Sequence, residues 1–196
     1  MSRSGRDPGH VTASLLCVGI LALATGLSFP ETGQAAHGGS NREVLPGDVV
    51  PDSTLRTAGG EELTVPAGEG ITAVLFWATW SPRSVKALDL WEEFRARYRG
   101  EPLTIVTVNA ERDELTAPDL EKIEDYIARN IPELPVVMDE GLEMFDTYAV
   151  KALPTVFFMD GSGKVLYRNA SFPTSAPFDL EEELDVRLGL RDRETQ

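Results

Sequence analysis

Ile71 to Trp77 is an unbroken run of branched, aromatic and small apolar residues with only Thr72 as an exception, set between Gly70 and the Ser81-Pro82 pair. A run with no polar face reads as a central strand buried on both sides, and such a strand needs covering layers above and below it. Directly after it Val85, Leu88, Trp91, Phe94 and Tyr98 recur every three or four residues up to Gly100. That is the spacing of an amphipathic helix with a glycine stop.

The alternation continues along the chain. Leu103 to Val108 reads as a second buried strand, and Leu120, Ile123 and Ile127 mark a helix that ends near Asn130, with Pro118 near its start. Val136 to Met138 is a third, short strand, Glu143 to Tyr148 a small helix, and Thr155 to Met159 a fourth strand. Asp160-Gly161-Ser162-Gly163 is a hairpin turn that sends Lys164 to Asn169 back antiparallel. Leu180, Leu184, Val186, Leu188 and Leu190 supply the apolar side of a last helix. Upstream, Leu55 and Thr57, the turn Ala58-Gly59-Gly60 and Leu63-Thr64-Val65 read as an N-terminal β-hairpin. The expected class is α/β, a mixed central β-sheet flanked by helices on both faces.

The chain has 196 residues and a formal net charge of −14, and residues 1–36 carry only Arg3, Arg6, Asp7 and Glu31, so the acidic excess lies in the remainder. An acidic surface argues for solubility and against nucleic-acid binding. Residues 1–36 read as an export signal: a basic start at Arg3 and Arg6, an apolar stretch from Val11 to Leu27, and small residues at Ala35-Ala36. The alternative is an uncleaved inner-membrane anchor through residues 11–27, near the lower limit of about 17 to 25 residues for a spanning helix. Leu16 precedes Cys17 where lipidation needs a small residue. Residues 37–44 are expected as a flexible lead-in, 45–190 as one domain and 191–196 as a polar tail.

Cys17 is the single cysteine, and His10 and His37 are the two histidines. With the leader removed the chain holds no thiol, hence no structural disulfide and no dithiol pair. A hydrolytic serine needs a base within hydrogen-bond reach, and the folded part offers no imidazole. Glu111-Arg112-Asp113-Glu114 and Glu181-Glu182-Glu183 read as solvated faces, since neither histidine nor a regularly spaced oxygen-ligand loop accompanies them. No metal and no cofactor is expected.

Phe76-Trp77-Ala78-Thr79-Trp80 followed by Ser81-Pro82-Arg83-Ser84 resembles the active-site segment of the thioredoxin superfamily, nearest its exported TlpA-like disulfide reductase and redoxin branch. The likeness extends through Pro51-Asp52 with Leu55 and Gly60, Val106-Thr107-Val108-Asn109, Leu134-Pro135-Val136-Val137 with Asp139, Tyr148-Ala149-Val150, Leu153-Pro154-Thr155, and Asp160 to Val165. It covers roughly residues 45 to 190 and implies a thioredoxin-like fold with an N-terminal hairpin extension. Against that family pattern both cysteines are serine, Ser81 and Ser84. Leu75 stands where classical thioredoxins carry a buried acid, Ala87 where TlpA-like members often carry a glutamate, and Asp89 where a proline is usual. A hydroxyl does not replace a thiolate in disulfide exchange.

Ser81 before Pro82 is also an ordinary helix start, with the hydroxyl accepting from a free N–H and proline at the first helical position. A helix N-terminus favours a negative charge by at most about 2 kcal/mol, roughly 1.5 pKa units, far too little to ionise an alcohol. Ser84 reads as a first-turn helix residue on the same ground, Trp77 and Trp91 as packing, and Trp80 as an exposed aromatic. The resemblance implies a cis peptide bond before Pro154 and a peptide-binding groove made by Trp80, Ser81, Pro82, Arg83, Leu153, Pro154 and Thr155, open to strand addition. The function expected from it is a redox-inactive periplasmic protein that binds an envelope protein or extended peptide as adaptor, chaperone or assembly factor. The alternatives are a component of a thiol-disulfide pathway that acts with a separate thiol enzyme, or a purely structural domain.

Overall fold

The computed structural model describes residues 42–111, 115–139, 141–170 and 177–190. The proposed leader, Cys17, both histidines and the 191–196 tail lie outside the described residues. The elements are β1 (Ser53–Arg56), β2 (Glu62–Val65), β3 (Ile71–Trp77), α1 (Pro82–Arg97), β4 (Leu103–Asn109), α2 (Ala117–Asn130), β5 (Val136–Met138), α3 (Glu143–Thr147), β6 (Thr155–Asp160), β7 (Val165–Asn169) and α4 (Pro177–Arg187).

Five strands form one sheet in the order β5-β4-β3-β6-β7. The strand β3 pairs parallel with β4 from Ile71↔Leu103 to Trp77↔Asn109 and antiparallel with β6 from Ile71↔Asp160 to Phe76↔Thr155. Every residue of β3 is buried, as its sequence requires of a strand with neighbours on both edges and layers on both faces. Ile71, Ala73, Leu75 and Trp77 join one core with Leu88, Trp91 and Phe94 of α1, Ile123 and Ile127 of α2, and Leu180 and Leu184 of α4. Val74 and Phe76 join the other with Val106, Val108, Phe157, Met159, and Met144 of α3. Alternation along one strand thus commits its side chains to two separate cores. Each large side chain so enclosed contributes roughly 1.5 to 3 kcal/mol.

Local signals fix the ends. In α2 the Asp119 carboxylate accepts from both the N–H and the hydroxyl of Thr116, at 3.2 and 2.6 Å. This ties the helix start and holds the Asp119 carboxyl below its ordinary value. At the β6–β7 turn the Asp160 carboxylate accepts from the N–H of Ser162 and of Lys164 and from the Ser162 hydroxyl. Gly161 there packs so tightly that a Cβ would sit 1.4 Å from the Gly68 carbonyl oxygen.

The hairpin β1–β2 stands outside the main sheet but touches its β5 edge through the Thr57↔Val137 bridge and the Ala58 N–H to Val136 carbonyl bond. Thr57 lies just past β1 rather than within it. At the other edge residues 47–50 follow β7: the Gly47 N–H donates to the Val165 carbonyl and the Val165 N–H to the Asp48 carbonyl. Residues 42–44, the described end of the expected lead-in, are held there too. Arg42 pairs with Asp48 at 2.6 Å, Glu43 pairs with Arg168, and Val44 packs on the second core.

The last helix departs from expectation on one face. It ends at Arg187, and Val186 is 53% exposed, whereas Leu180, Leu184 and Leu188 are buried. At 100° per residue Val186 lies about 200° from both Leu184 and Leu188, so it points to solvent.

Candidate functional site

Where β3 ends, Ala78 to Ser81 cross to α1, and this crossing carries the residues singled out in the sequence. Ser81 is the N-cap of α1 with Pro82 at the first helical position; its backbone is extended and its hydroxyl oxygen accepts from the Ser84 N–H at 3.3 Å. Ser84 is fully buried, and its hydroxyl has no hydrogen-bond partner among the described residues. Among the described residues neither hydroxyl is hydrogen-bonded to a side-chain base. Trp80, one residue before the cap, is 58% exposed. Pro82 and Arg83 are exposed as well.

The other half of the expected groove is reached through the sheet. Phe76↔Thr155 is the last pair of the β3–β6 ladder, so Pro154 and Leu153 come next, at the end where β3 turns toward Ser81. The Leu153–Pro154 peptide bond is cis, as is Val65–Pro66, which the sequence reading did not single out. Thr155 is the first residue of β6, fully buried, and its hydroxyl donates to the Ala152 carbonyl at 2.6 Å. Pro154 is buried, and Leu153 is half-buried against the second core. Trp80, Pro82, Arg83 and part of Leu153 present side chains to solvent, whereas Ser81, Pro154 and Thr155 turn theirs inward.

One residue of the site was missed in the sequence. Glu111, read there as part of a solvated acidic run, sits half-buried behind the crossing, and its Oε1 accepts from the Thr79 N–H at 2.7 Å and from the Asn109 Nδ2 at 3.0 Å. This carboxylate ties the segment bearing Trp80 to the end of β4. Nothing in a linear reading distinguishes Glu111 from the acids that follow it, because its partner Thr79 is far away in the chain. Thr79, Trp80 and Glu111 also line a cavity of about 360 Å³, together with Leu115, Asp119, Lys122 and Ile123.

Nearby packing is apolar and rigid. Trp77 is fully buried with its ring 5.8 Å from that of Tyr126, and its indole N–H has no acceptor among the described residues. Ala87 and Leu75 are fully buried, and Asp89 is exposed. The buried acid closest in sequence to the end of β5 is Asp139, whose carboxylate accepts from the N–H groups of Met144 and Phe145 and so starts α3. Burial pushes its carboxyl above the ordinary value, with those two N–H groups pulling the other way. Among the described residues no group of three or more histidine, cysteine or acidic side chains is placed to hold a metal ion.

The Redoxin family model matches residues 45–183. A curated relative, the sporulation thiol-disulfide oxidoreductase A of Bacillus subtilis (strain 168), is 26% identical over 155 residues, 79% of this chain and 88% of that protein. Among solved structures, one from Chlorobium tepidum described as a DsbE-type thiol:disulfide interchange protein superposes with a TM-score of 0.66 at 24% identity, over 75% of this chain and all of that one. The exposed lipoprotein thioredoxin Etrx1 of Streptococcus pneumoniae strain TIGR4 gives a TM-score of 0.57 at 25% identity, over 68% of this chain and all of that one. With its five-stranded mixed sheet and helices on both faces, the chain has a thioredoxin-like fold and belongs to the Redoxin family.

Proposed function

We propose that this redoxin-family chain works outside the cytoplasm without dithiol exchange and binds an extended segment of an envelope protein at the crossing between β3 and α1. In this reading Ser81 and Ser84 occupy the positions of the family's two cysteines. The observation that carries it is the pair of surroundings at those positions: Ser81 spends its hydroxyl oxygen on the helix cap, and Ser84 is sealed in the core. These surroundings support a structural role for both serines, while Trp80 beside them stays exposed. An exposed tryptophan with a rigid, apolar body is the side chain most often found to anchor a partner.

The backbone supports a strand-addition mode of binding. Leu153 lies beyond the last β3–β6 pair, so neither strand occupies its main chain, and an extended peptide laid beside it gains main-chain hydrogen bonds. Export is supported by the leader-like sequence at residues 1–36 and by a relative described as an exposed lipoprotein. The test is capture of envelope proteins on the full chain, compared with Trp80→Ala and Leu153→Arg checked for folding by circular dichroism. A partner held by the natural chain and lost by both variants is the expected result; a partner kept by both removes the groove from the reading.

A second reading has the relatives' names in its favour. Thiol-disulfide oxidoreductases recur among them, and the bound partner is then itself a thiol enzyme or its substrate. Adding that enzyme with and without this chain to an insulin-reduction assay separates the two: a change in the enzyme's turnover supports the pathway role.

A further inference from the structure

Between the β1–β2 turn and the C-terminal half of α2 runs an open groove of about 690 Å³, lined by Ala58, Ile127, Pro132, Leu134, Pro135 and Val136 as its apolar part. It lies at the start of β5, the opposite end of that strand from Met138 and the crossing that bears Trp80. Three carboxylates, Glu61, Glu124 and Glu133, stand among the lining residues, and among the described residues no lysine, arginine or histidine does.

Two arginines bonded to the groove's lining or to its turn already have acidic partners. Arg95 bonds Glu133 at 3.2 Å and lies 3.5 Å from Glu92. Arg56 donates to the Gly60 carbonyl and pairs with Glu62 at 3.4 Å. Glu61 and Glu124, one on each wall, are both exposed. An apolar floor between two acidic walls, on a chain of net charge −14, matches one kind of occupant. We infer that this groove docks a basic amphipathic segment of a partner protein, its apolar residue on Ala58, Pro132 and Pro135, which cover the buried Ile127 and Leu134, and its lysines or arginines against Glu61 and Glu124. The floor supplies affinity and the walls choose the sign of the partner. This site is separate from the Trp80 crossing, so its fate does not depend on the peptide groove proposed there.

The test uses the full chain and a fluorescein-labelled peptide of alternating leucine and lysine, with a leucine and glutamate peptide as its counterpart. Binding is read by anisotropy and its location by hydrogen exchange. The lysine peptide is expected to bind and to protect residues 57–61 and 124–136, and the glutamate peptide to leave both unprotected. Glu61→Gln with Glu124→Gln weakens binding about fivefold to tenfold, and Ala128→Arg, a helix-compatible exposed substitution that puts a cation into the groove, abolishes it. Glu69→Gln with Asp146→Asn removes the same charge elsewhere and is expected to change binding less than twofold. Equal weakening by both pairs, or protection that falls outside the groove, overturns the inference.

Discussion

The hydroxyl oxygen of Ser81 accepts a hydrogen bond from the backbone N–H of Ser84, while the hydroxyl of Ser84 itself is buried without a partner. Two serines a single helical turn apart therefore have opposite energetic standing. Ser81→Ala removes a helix cap and is expected to cost about 1 kcal/mol, and Ser81→Gly only a few tenths. Ser84→Ala removes a desolvated polar atom and installs a better helix former, so it is expected to leave stability unchanged or raise it by up to about 1 kcal/mol. Urea denaturation at neutral pH reads both. Destabilisation by Ser84→Ala as large as that by Ser81→Ala contradicts the assignment.

Glu111 holds the Trp80 segment through Thr79 and Asn109. Its replacement by alanine frees the Thr79 N–H and the Asn109 amide, and the Trp80 loop is expected to loosen while the sheet persists. Faster amide exchange at residues 79–81 with unchanged exchange in β3 is the expected pattern. Glu111→Gln, which keeps an acceptor oxygen, restores part of the protection.

Gly161 permits an approach that no other residue allows. A methyl group there meets the Gly68 carbonyl oxygen at 1.4 Å, and both partners are backbone, so Gly161→Ala displaces the β6–β7 turn from the loop before β3. The expected loss is about 2 to 3 kcal/mol. Gly47→Ala, where the Cβ meets nothing within 4 Å but φ is +99°, carries only the cost of the positive φ.

Asp139 sets one pH dependence. Its folded-state value is raised by burial, so between the unfolded value, about 4, and the folded one the native state binds more protons than the unfolded chain. Its contribution to stability is greatest below that window and falls as pH rises through it. Asp139→Asn keeps one acceptor oxygen, so it loses one of the two N–H bonds at every pH, but it cannot titrate. The change in urea midpoint between pH 4 and pH 7 is expected to differ between this variant and the natural chain in that sense.

Much of this was legible in the sequence because it is local or periodic. The burial of β3, the cap at Ser81 and the turn at Asp160 each follow from residues within a few positions of one another. Val186 was misassigned because a leucine-rich tail reads as apolar throughout, and only the 100° step of a real helix separates its faces. Glu111 escaped for a different reason: Thr79 reaches it only after β3 and β4 pair side by side. The same holds for Glu43 and Val44, which find Arg168 and the second core only once β7 is in place. Groove composition was the partial case. The register brings Leu153-Pro154 to the end of β3, but burial of the Pro154 and Thr155 side chains depends on the closed core behind them.

In the proposed reading the crossing from β3 to α1 keeps a redox site's frame without its sulfur. The most direct measurement is dithiothreitol-driven insulin reduction by the full chain carrying Cys17→Ser, beside the same chain with Ser81→Cys and Ser84→Cys added. No turnover above the reductant alone is expected for the first, and clear catalysis by the second. Turnover by the cysteine-free chain contradicts the proposed reading, and so does an inert double-cysteine chain that remains folded.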